Sequence, residues 1–483
     1  MAAKQQATER EYQRTAARPL PRPSRPAARP INSARYETPE INGGGGAALA
    51  RWLDNLGRLP AGFEGEKLLP FLSHENEKVR ALAAVNLGKM GDIKFLPQLQ
   101  KIACGDSSTM ARREAVSAIG RMRDKAAIPA LARLTKDGDP KVVLQALRGL
   151  LAFKQKNKTI HAALENLRRH PNELIQETIE RERTFDFDTP KSKSHQTESP
   201  DFMKNLVVEG DVLQTLKKTP AESVHLTFTS PPYYNARDYS IYASYAEYLN
   251  FLQKVFRQVH RITKPGRFFV LNTSPVIIPR LSRQHSSRRY AIPFDLHPIL
   301  TKMGWDFIDD LVWAKPEASV KNRNGGFFQH RKPLAYKPNA RTEYLMVYRK
   351  KHARLIDWNI RQYDMPRLQK SLVKGEYETS NVWDIDPTFD KTHSAVFPAR
   401  LCQRVIQYYS FADDLVFDPF GGSGTLGRAA AAAGRYFFMT EISSAYINRM
   451  QEKFGQYENL FVPEVKFANA ARFAALIKNG SPS

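Results

Sequence analysis

The chain has 483 residues, with 73 Lys+Arg against 49 Asp+Glu and a formal net charge of +24. That length implies about two to four domains, and the charge creates a field that attracts polyanions, nucleic acid first among them. No apolar run approaches the roughly 20 residues of a membrane helix, and Met1-Ala2-Ala3-Lys4-Gln5-Gln6 lacks the apolar core of a secretory signal. Cys104 and Cys402 are too few for a disulfide framework or a thiolate zinc site. We therefore expect a cytoplasmic protein with no membrane or metal partner, nucleoid-associated in a prokaryote, whose two cysteines are small buried hydrophobes.

Residues 1–48 are rich in Ala, Arg and Pro, as in Arg18-Pro19-Leu20-Pro21-Arg22-Pro23, and end in Gly43-Gly44-Gly45-Gly46. Lacking apolar periodicity, they are expected to form a disordered basic tail. Residues 50–180 read as helical and repeat. Val79-Arg80 leads to Ala83, Leu87 and Gly88, Ala111-Arg112 leads to Ala115, Ile119 and Gly120, and Val142 leads to Ala146 and Leu150. Leu96-Pro97 and Ile128-Pro129 open the partner helices. Helix pairs at this period cannot bury their apolar faces alone and must stack. The pattern resembles short HEAT-like repeats, a surface for protein or nucleic acid. Residues 183–203, with Pro190-Lys191-Ser192-Lys193-Ser194, read as a linker.

From residue 204 short apolar strands alternate with helices, which predicts an α/β fold with a mixed, mostly parallel sheet. Leu206-Val207-Val208 and His225 to Thr229 read as strands. Tyr242 to Ile262 reads as a helix closed by Lys264-Pro265-Gly266, and Arg267 to Leu271 as the next strand. Leu311-Val312-Trp313 and Glu343 to Tyr348 are further strands. Helix 394–409, strand 415–418, helix 425–433 and strand 435–439 follow, and 466–483 read as a C-terminal tail.

Two loops in this half carry chemistry. The first is Asp418-Pro419-Phe420-Gly421-Gly422-Ser423-Gly424-Thr425, between a strand and an Ala-rich helix. Glycines there let a ligand approach backbone at a helix N-terminus, and Glu441, after the next strand, suits a ribose diol. The second is Ser230-Pro231-Pro232-Tyr233-Tyr234-Asn235, directly after a strand. Its prolines fix the backbone and remove two N–H donors, leaving carbonyls that only accept. Ser230 adds a hydroxyl and Tyr233 an aromatic face, a set suited to an amino group on a planar base. Tyr234 and Asn235 are expected to shape the loop.

Together the loops make residues 204–465 resemble the amino-methyltransferases that act on DNA. Ser230-Pro231-Pro232-Tyr233 resembles the family's catalytic motif, in the serine form typical of cytosine-N4 enzymes. Asp418 to Thr425 resembles the methyl-donor loop. Catalytic motif first and donor loop last resembles the β permutation of the family. Gly210-Asp211, Trp313-Ala314-Lys315-Pro316, Asn381-Val382-Trp383 and His393 to Pro398 resemble further family blocks. The resemblance implies a Rossmann-like domain that binds S-adenosyl-L-methionine. Its donor contacts would be Asp211, Phe397, Pro398, Asp418, Pro419, Phe420, Gly421, Gly422, Ser423, Gly424, Thr425 and Glu441. It also implies direct methyl transfer to an exocyclic amino nitrogen of double-stranded DNA, cytosine N4 first. C5 methylation is disfavoured, because it needs a cysteine nucleophile and neither cysteine follows a suitable proline loop.

Arg280, Arg283, Arg288 and Arg289 form one basic stretch, and Lys321, Arg323, Arg331 and Lys332 another. Both are expected to hold DNA, with residues 317–380 as the target-recognition region. A separately encoded restriction endonuclease is a plausible companion. Three alternatives stay open: adenine-N6 methylation, an RNA substrate, and a HEAT-like scaffold with an inactive methyltransferase half.

Overall fold

The computed structural model describes residues 36, 37, 39, 45–60, 62–153, 157–184, 193–234, 242–278, 288–319, 340–352, 354–373, 377–388, 397–455 and 464–480. The expected tail thus lies almost wholly outside the described residues. The chain divides into two compact units, Met1–Thr184 and Phe185–Ser483.

In the first unit the repeats are helix pairs. Helices Glu77–Met90, Thr109–Arg121 and Pro140–Leu151 carry the apolar stripes, and Leu96–Gly105 and Ile128–Leu134 are their partners. Asn76, Ser108 and Asp139 cap the first set, each side chain accepting a hydrogen bond from a first-turn N–H. Pro97 and Pro129 sit in the first turn of the partners, where a missing N–H costs nothing. Val79, Ala83, Leu87, Ala115, Ile119, Val142, Ala146 and Leu150 are fully buried. Successive first helices nearly touch: a Cβ added to Gly88 would lie 2.6 Å from the Ala118 backbone, and one on Gly120 3.1 Å from Gly149 Cα. Charged rungs join the repeats. Arg80 donates to both Asp106 oxygens at 2.7 Å, and Arg112 to both Asp137 oxygens at 3.0 and 3.3 Å. Cys104, expected to be buried, is instead exposed, while Cys402 in the second unit is buried.

The second unit has eleven described strands: β1 (Leu206–Glu209), β2 (Val224–Thr229), β3 (Thr263–Thr273), β4 (Val276–Ile278), β5 (Arg288–Tyr290), β6 (Trp305–Ala314), β7 (Thr342–Lys350), β8 (Val382–Asp384), β9 (Leu415–Asp418), β10 (Tyr436–Glu441) and β11 (Lys466–Asn469). Nine form one sheet in the order β11-β1-β10-β9-β2-β3-β7-β6-β8, and β4 and β5 form a separate hairpin. Within the sheet, β7 runs antiparallel to both β3 and β6, and every other pairing is parallel. Parallel strands are covered on both faces and read as continuous apolar runs. Leu206, Val208, Phe269, Leu271, Leu415, Phe417 and Phe438 pack into one core. Their alternates Val207, Phe268, Val270, Val416, Phe437 and Met439 pack into another. The alternating side chains therefore anchor helices on both faces.

Four segments differ from the sequence reading. Lys264-Pro265-Gly266, expected to be a loop, is a bulge inside β3: the register steps from Val224↔Thr263 to Leu226↔Phe268. Gly266 takes φ +73° there, and a Cβ would meet Asn359 Oδ1 at 2.5 Å. The expected tail after residue 466 is structural, because β11 pairs in parallel with β1 and helix Ala470–Gly480 buries Phe473 against the core. The expected linker ends early, because Gln196, Thr197, Ser199 and Met203 are buried in this unit. Finally, residues 317–380 are not one insert. They contain β7, a central strand, and helices Ile356–Ile360 and Met365–Ser371.

Candidate active site

The chain direction along the sheet reverses between β2 and β9. From β2 it proceeds to β3 on one side, and from β9 to β10 and β11 on the other. Open α/β sheets bind ligands in the crevice at the carboxyl ends of the strands flanking such a reversal. The two loops singled out in the sequence follow those two strands. They are directly joined: Thr229 Oγ1, the last residue of β2, donates to Asp418 Oδ1, the last residue of β9, at 2.6 Å. The same carboxylate oxygen accepts from Phe420 N at 2.9 Å. Burial pushes the Asp418 carboxyl up to about 7, against the opposing pull of those two donors, and the nearby Glu441 charge adds a smaller push upward.

The glycine loop curls beside β10. Gly421 N donates to Thr440 O at 2.9 Å, and Gly422 N donates to Glu441 Oε2 at 2.8 Å. Glu441 Oε1 accepts from Ser443 N at 2.8 Å, and burial raises this carboxyl above its ordinary value. Gly422 and Gly424 take φ +50° and +74°, a conformation that favours glycine. Ser423 and Thr425 lie at the start of helix Thr425–Ala432, with their hydroxyls 3.3 Å apart. Asp211 sits just past β1, where Gly210 N donates to Glu441 O at 2.9 Å, and its carboxylate caps helix Val212–Lys218. Asp211, Glu441 and the Asp418–Thr425 loop thus share one rim. Carboxylates that accept from ribose hydroxyls, beside backbone held open by glycine, fit a nucleoside-bearing donor. Phe397 sits lower, its ring stacked on Phe228 at 4.7 Å, and Pro398 precedes helix Ala399–Tyr409.

In the Ser230–Tyr234 loop, Pro231 and Tyr234 are buried and Tyr233 is half-buried. Tyr234 does more than shape the loop. It packs against Tyr245, Tyr248 and Tyr290, with centroids 5.4, 5.6 and 4.8 Å away. Tyr233 points elsewhere, its hydroxyl donating to Glu343 Oε2 at 2.9 Å. Glu343 lies at the start of β7 and forms an ion pair with Lys315, which also sits over the Trp313 ring at 4.4 Å. Burial and the Glu343 charge push the Tyr233 phenol well above its ordinary range, so it stays a protonated donor. Glu343 escaped the sequence reading because it stands in a strand whose direction a sequence does not reveal. Being antiparallel, β7 delivers its first residues to the edge where its neighbours end.

The β4–β5 hairpin springs from the same edge, after the end of β3. Tyr290 stacks on Tyr245 at 4.5 Å, and Arg288 and Arg289 are exposed on it. Arg280, Arg283, Lys321, Arg323, Arg331 and Lys332 lie outside the described residues. The segment carrying the last four has its described flanks at this edge too, with Lys315 N donating to Arg341 O at 2.9 Å. Helices Ile356–Ile360 and Met365–Ser371 pack at the opposite end of the sheet. There Tyr363 donates to Asp414 at 2.6 Å, and Arg267 pairs with the same carboxylate. Neutral His225, its pKa pushed down by burial and by Arg267, accepts from Leu415 N at 3.0 Å. Tyr363, Arg267, Asp414 and His225 hold the fold at the far end and lie away from the loops.

Residues 224–452 match the DNA methylase family of the N6/N4 type, and residues 65–152 match HEAT repeats. The chain is 26% identical over 260 residues to the type II beta methyltransferase M.BslI of Bacillus sp. (strain NEB-606), covering 51% of this chain and 27% of that protein. It is 28% identical over 295 residues to the type II methyltransferase M.Cfr9I of Citrobacter freundii, covering 54% and 92%. It is also 28% identical over 259 residues to the DNA adenine methyltransferase YhdJ of Escherichia coli (strain K12), covering 50% and 79%.

Proposed function

Because residues 224–452 belong to the DNA methylase family, whose methyl donor is S-adenosyl-L-methionine, we propose that this chain methylates the N4 amino group of cytosine in double-stranded DNA. The observation that carries this reading is the Thr229–Asp418 hydrogen bond. It joins a loop suited to the donor and a loop suited to an amino group at the reversal point of the sheet. Ser230 at the head of the second loop supports cytosine over adenine.

The amino lone pair of cytosine is delocalised into the ring and is a poor nucleophile. Ser230 Oγ and the Pro231 carbonyl accept from its two N–H bonds and localise the pair on nitrogen. Tyr233 stacks on a base rotated out of the duplex, and the loop holds it in line for attack. S-adenosyl-L-methionine held by the glycine loop would supply a sulfonium methyl carbon, the carbon–sulfur electron pair staying on sulfur, and the methylated nitrogen would shed one proton to water. Arg288 and Arg289 on the hairpin contact phosphates, which position the duplex without reading it. Relatives named as type II methyltransferases support a separately encoded restriction endonuclease as companion.

Nucleoside mass spectrometry on DNA incubated with the protein and S-adenosyl-L-methionine tests the reading, with a Ser230→Ala, Tyr233→Ala double variant as control. N4-methylcytosine that disappears with the variant is the expected result. N6-methyladenine would keep the mechanism and overturn the base assignment. No methylated base would overturn both.

A further inference from the structure

We propose that Glu343, held by Lys315, is a positioning residue that pins the Tyr233 ring in place as a fixed plate for the base. It rests on the reading of this crevice as an amino-methyltransferase site.

A tyrosine ring on a loop swings about its Cα–Cβ bond, and a base that stacks on it must first stop that motion. Stopping it costs conformational entropy at the moment of binding. Here both ends of the side chain are already held. At the near end, Pro231 and Pro232 fix the backbone that carries Tyr233. At the far end, the hydroxyl donates to Glu343 Oε2 at 2.9 Å. Tyr233 follows β2 and Glu343 lies at the start of β7, and β3 stands between those strands in the sheet. The bond therefore joins segments that are not neighbours, and the ring axis cannot swing without breaking it.

The acceptor is itself held. Glu343 stands directly opposite Trp313 in the β6–β7 pairing, and Lys315 pairs with Glu343 Oε1. The Lys315 ammonium sits over the Trp313 ring, 4.4 Å from its centroid, and the Trp313 indole N–H donates to Ile385 O at 2.7 Å. The Lys315 backbone is tied to Arg341, with Lys315 N donating to Arg341 O and Arg341 Nε donating to Lys315 O, both at 2.9 Å. Only 18% of the Lys315 side chain and 16% of the Glu343 side chain are exposed, so water and salt screen the pair little. A carboxylate, which only accepts, is thus presented to the phenol from one direction. The Trp313–Lys315 block, singled out in the sequence without a task, acquires one here.

Two measurements on the full chain test the pin. The first places a single fluorotyrosine at position 233 and reads its fluorine relaxation. Glu343→Ala should lengthen the transverse relaxation time as the ring begins to swing. Glu343→Gln, whose amide oxygen still accepts, should leave it near the wild-type value. The second is steady-state methylation of duplex DNA, with S-adenosyl-L-methionine affinity measured by calorimetry. Tyr233→Phe keeps the aromatic face and loses the pin. It and Glu343→Ala should each lower kcat/KM for DNA roughly threefold to tenfold, the worth of ordering one side chain, with donor affinity unchanged. Glu343→Gln should recover most of the loss. The double variant Tyr233→Phe, Glu343→Ala should fall no further than the worse single variant, because both break one contact. An unchanged relaxation time in Glu343→Ala, wild-type kcat/KM in Tyr233→Phe, or losses that multiply in the double variant overturns the pin. A wild-type protein that binds the donor yet transfers nothing to DNA overturns the reading beneath it, and the fluorine measurement then decides the pin by itself.

Discussion

Thr229 and Asp418 close the crevice from below, and their bond is buried. Thr229→Val keeps the shape and removes one donor from a buried carboxyl. It should cost about 1–3 kcal/mol of stability, read as a lower denaturant midpoint, and should also slow methylation. Asp418 gives the protein a pH dependence of definite sign. Its carboxyl titrates at its ordinary 3.8 in the unfolded chain and at about 7 when folded. Between these values the folded state keeps a proton that the unfolded chain has lost, so this contribution to stability declines as pH rises through that window. Asp418→Asn retains an oxygen for both donors and loses the dependence. Relative to wild type it should therefore gain stability between about pH 5 and about pH 8 in denaturant titrations, and equal differences at both would refute the assignment. Ser230, Asp418 and Glu441 could be read as candidates in the sequence because each ends or follows an apolar strand. Glu343 and the Thr229–Asp418 bond could not, because they depend on strand order and direction, which local pattern does not encode.

At the scale of elements, the helical repeats were readable because helix packing recurs at a fixed interval and leaves an imprint of small residues. Gly88 is part of that imprint. Gly88→Ala would drive a methyl into the Ala118 backbone, an overpacking that should cost about 1–3 kcal/mol, observable as a lowered thermal midpoint. The same methyl at Gly91, where nothing lies within 4 Å, meets no clash, although its φ of +70° still disfavours a side chain. The strands that escaped detection are short. In β11, Lys466-Phe467-Ala468-Asn469 has two apolar residues and owes its structure to pairing with β1. The bulge at Lys264–Gly266 read as a loop because Pro-Gly normally ends an element, whereas here it redirects one. Residues 317–380 read as a single recognition insert because β7 carries no mark of its place inside the sheet, between β3 and β6.

For the whole molecule, an excess of +24 means that DNA binding should release many counterions. Affinity should fall steeply and linearly on a log–log plot of binding constant against salt, and Arg288→Ala, Arg289→Ala should flatten the slope. A slope unchanged by that double variant would move the phosphate contacts elsewhere. The α/β class followed from the alternation of strands and helices, whose apolar residues pack on both faces of the sheet.

The placement of β1 constrains how the protein is made. Emerging early in its unit, β1 is flanked only by β10 and β11, which follow every other described strand in the chain. On the ribosome it must wait, apolar and unpaired, while the intervening chain is translated. Such long-range closure makes folding slow and exposes the nascent chain to aggregation. Chains stalled before residue 436, which lack both partners of β1, should therefore stay protease-sensitive around that strand.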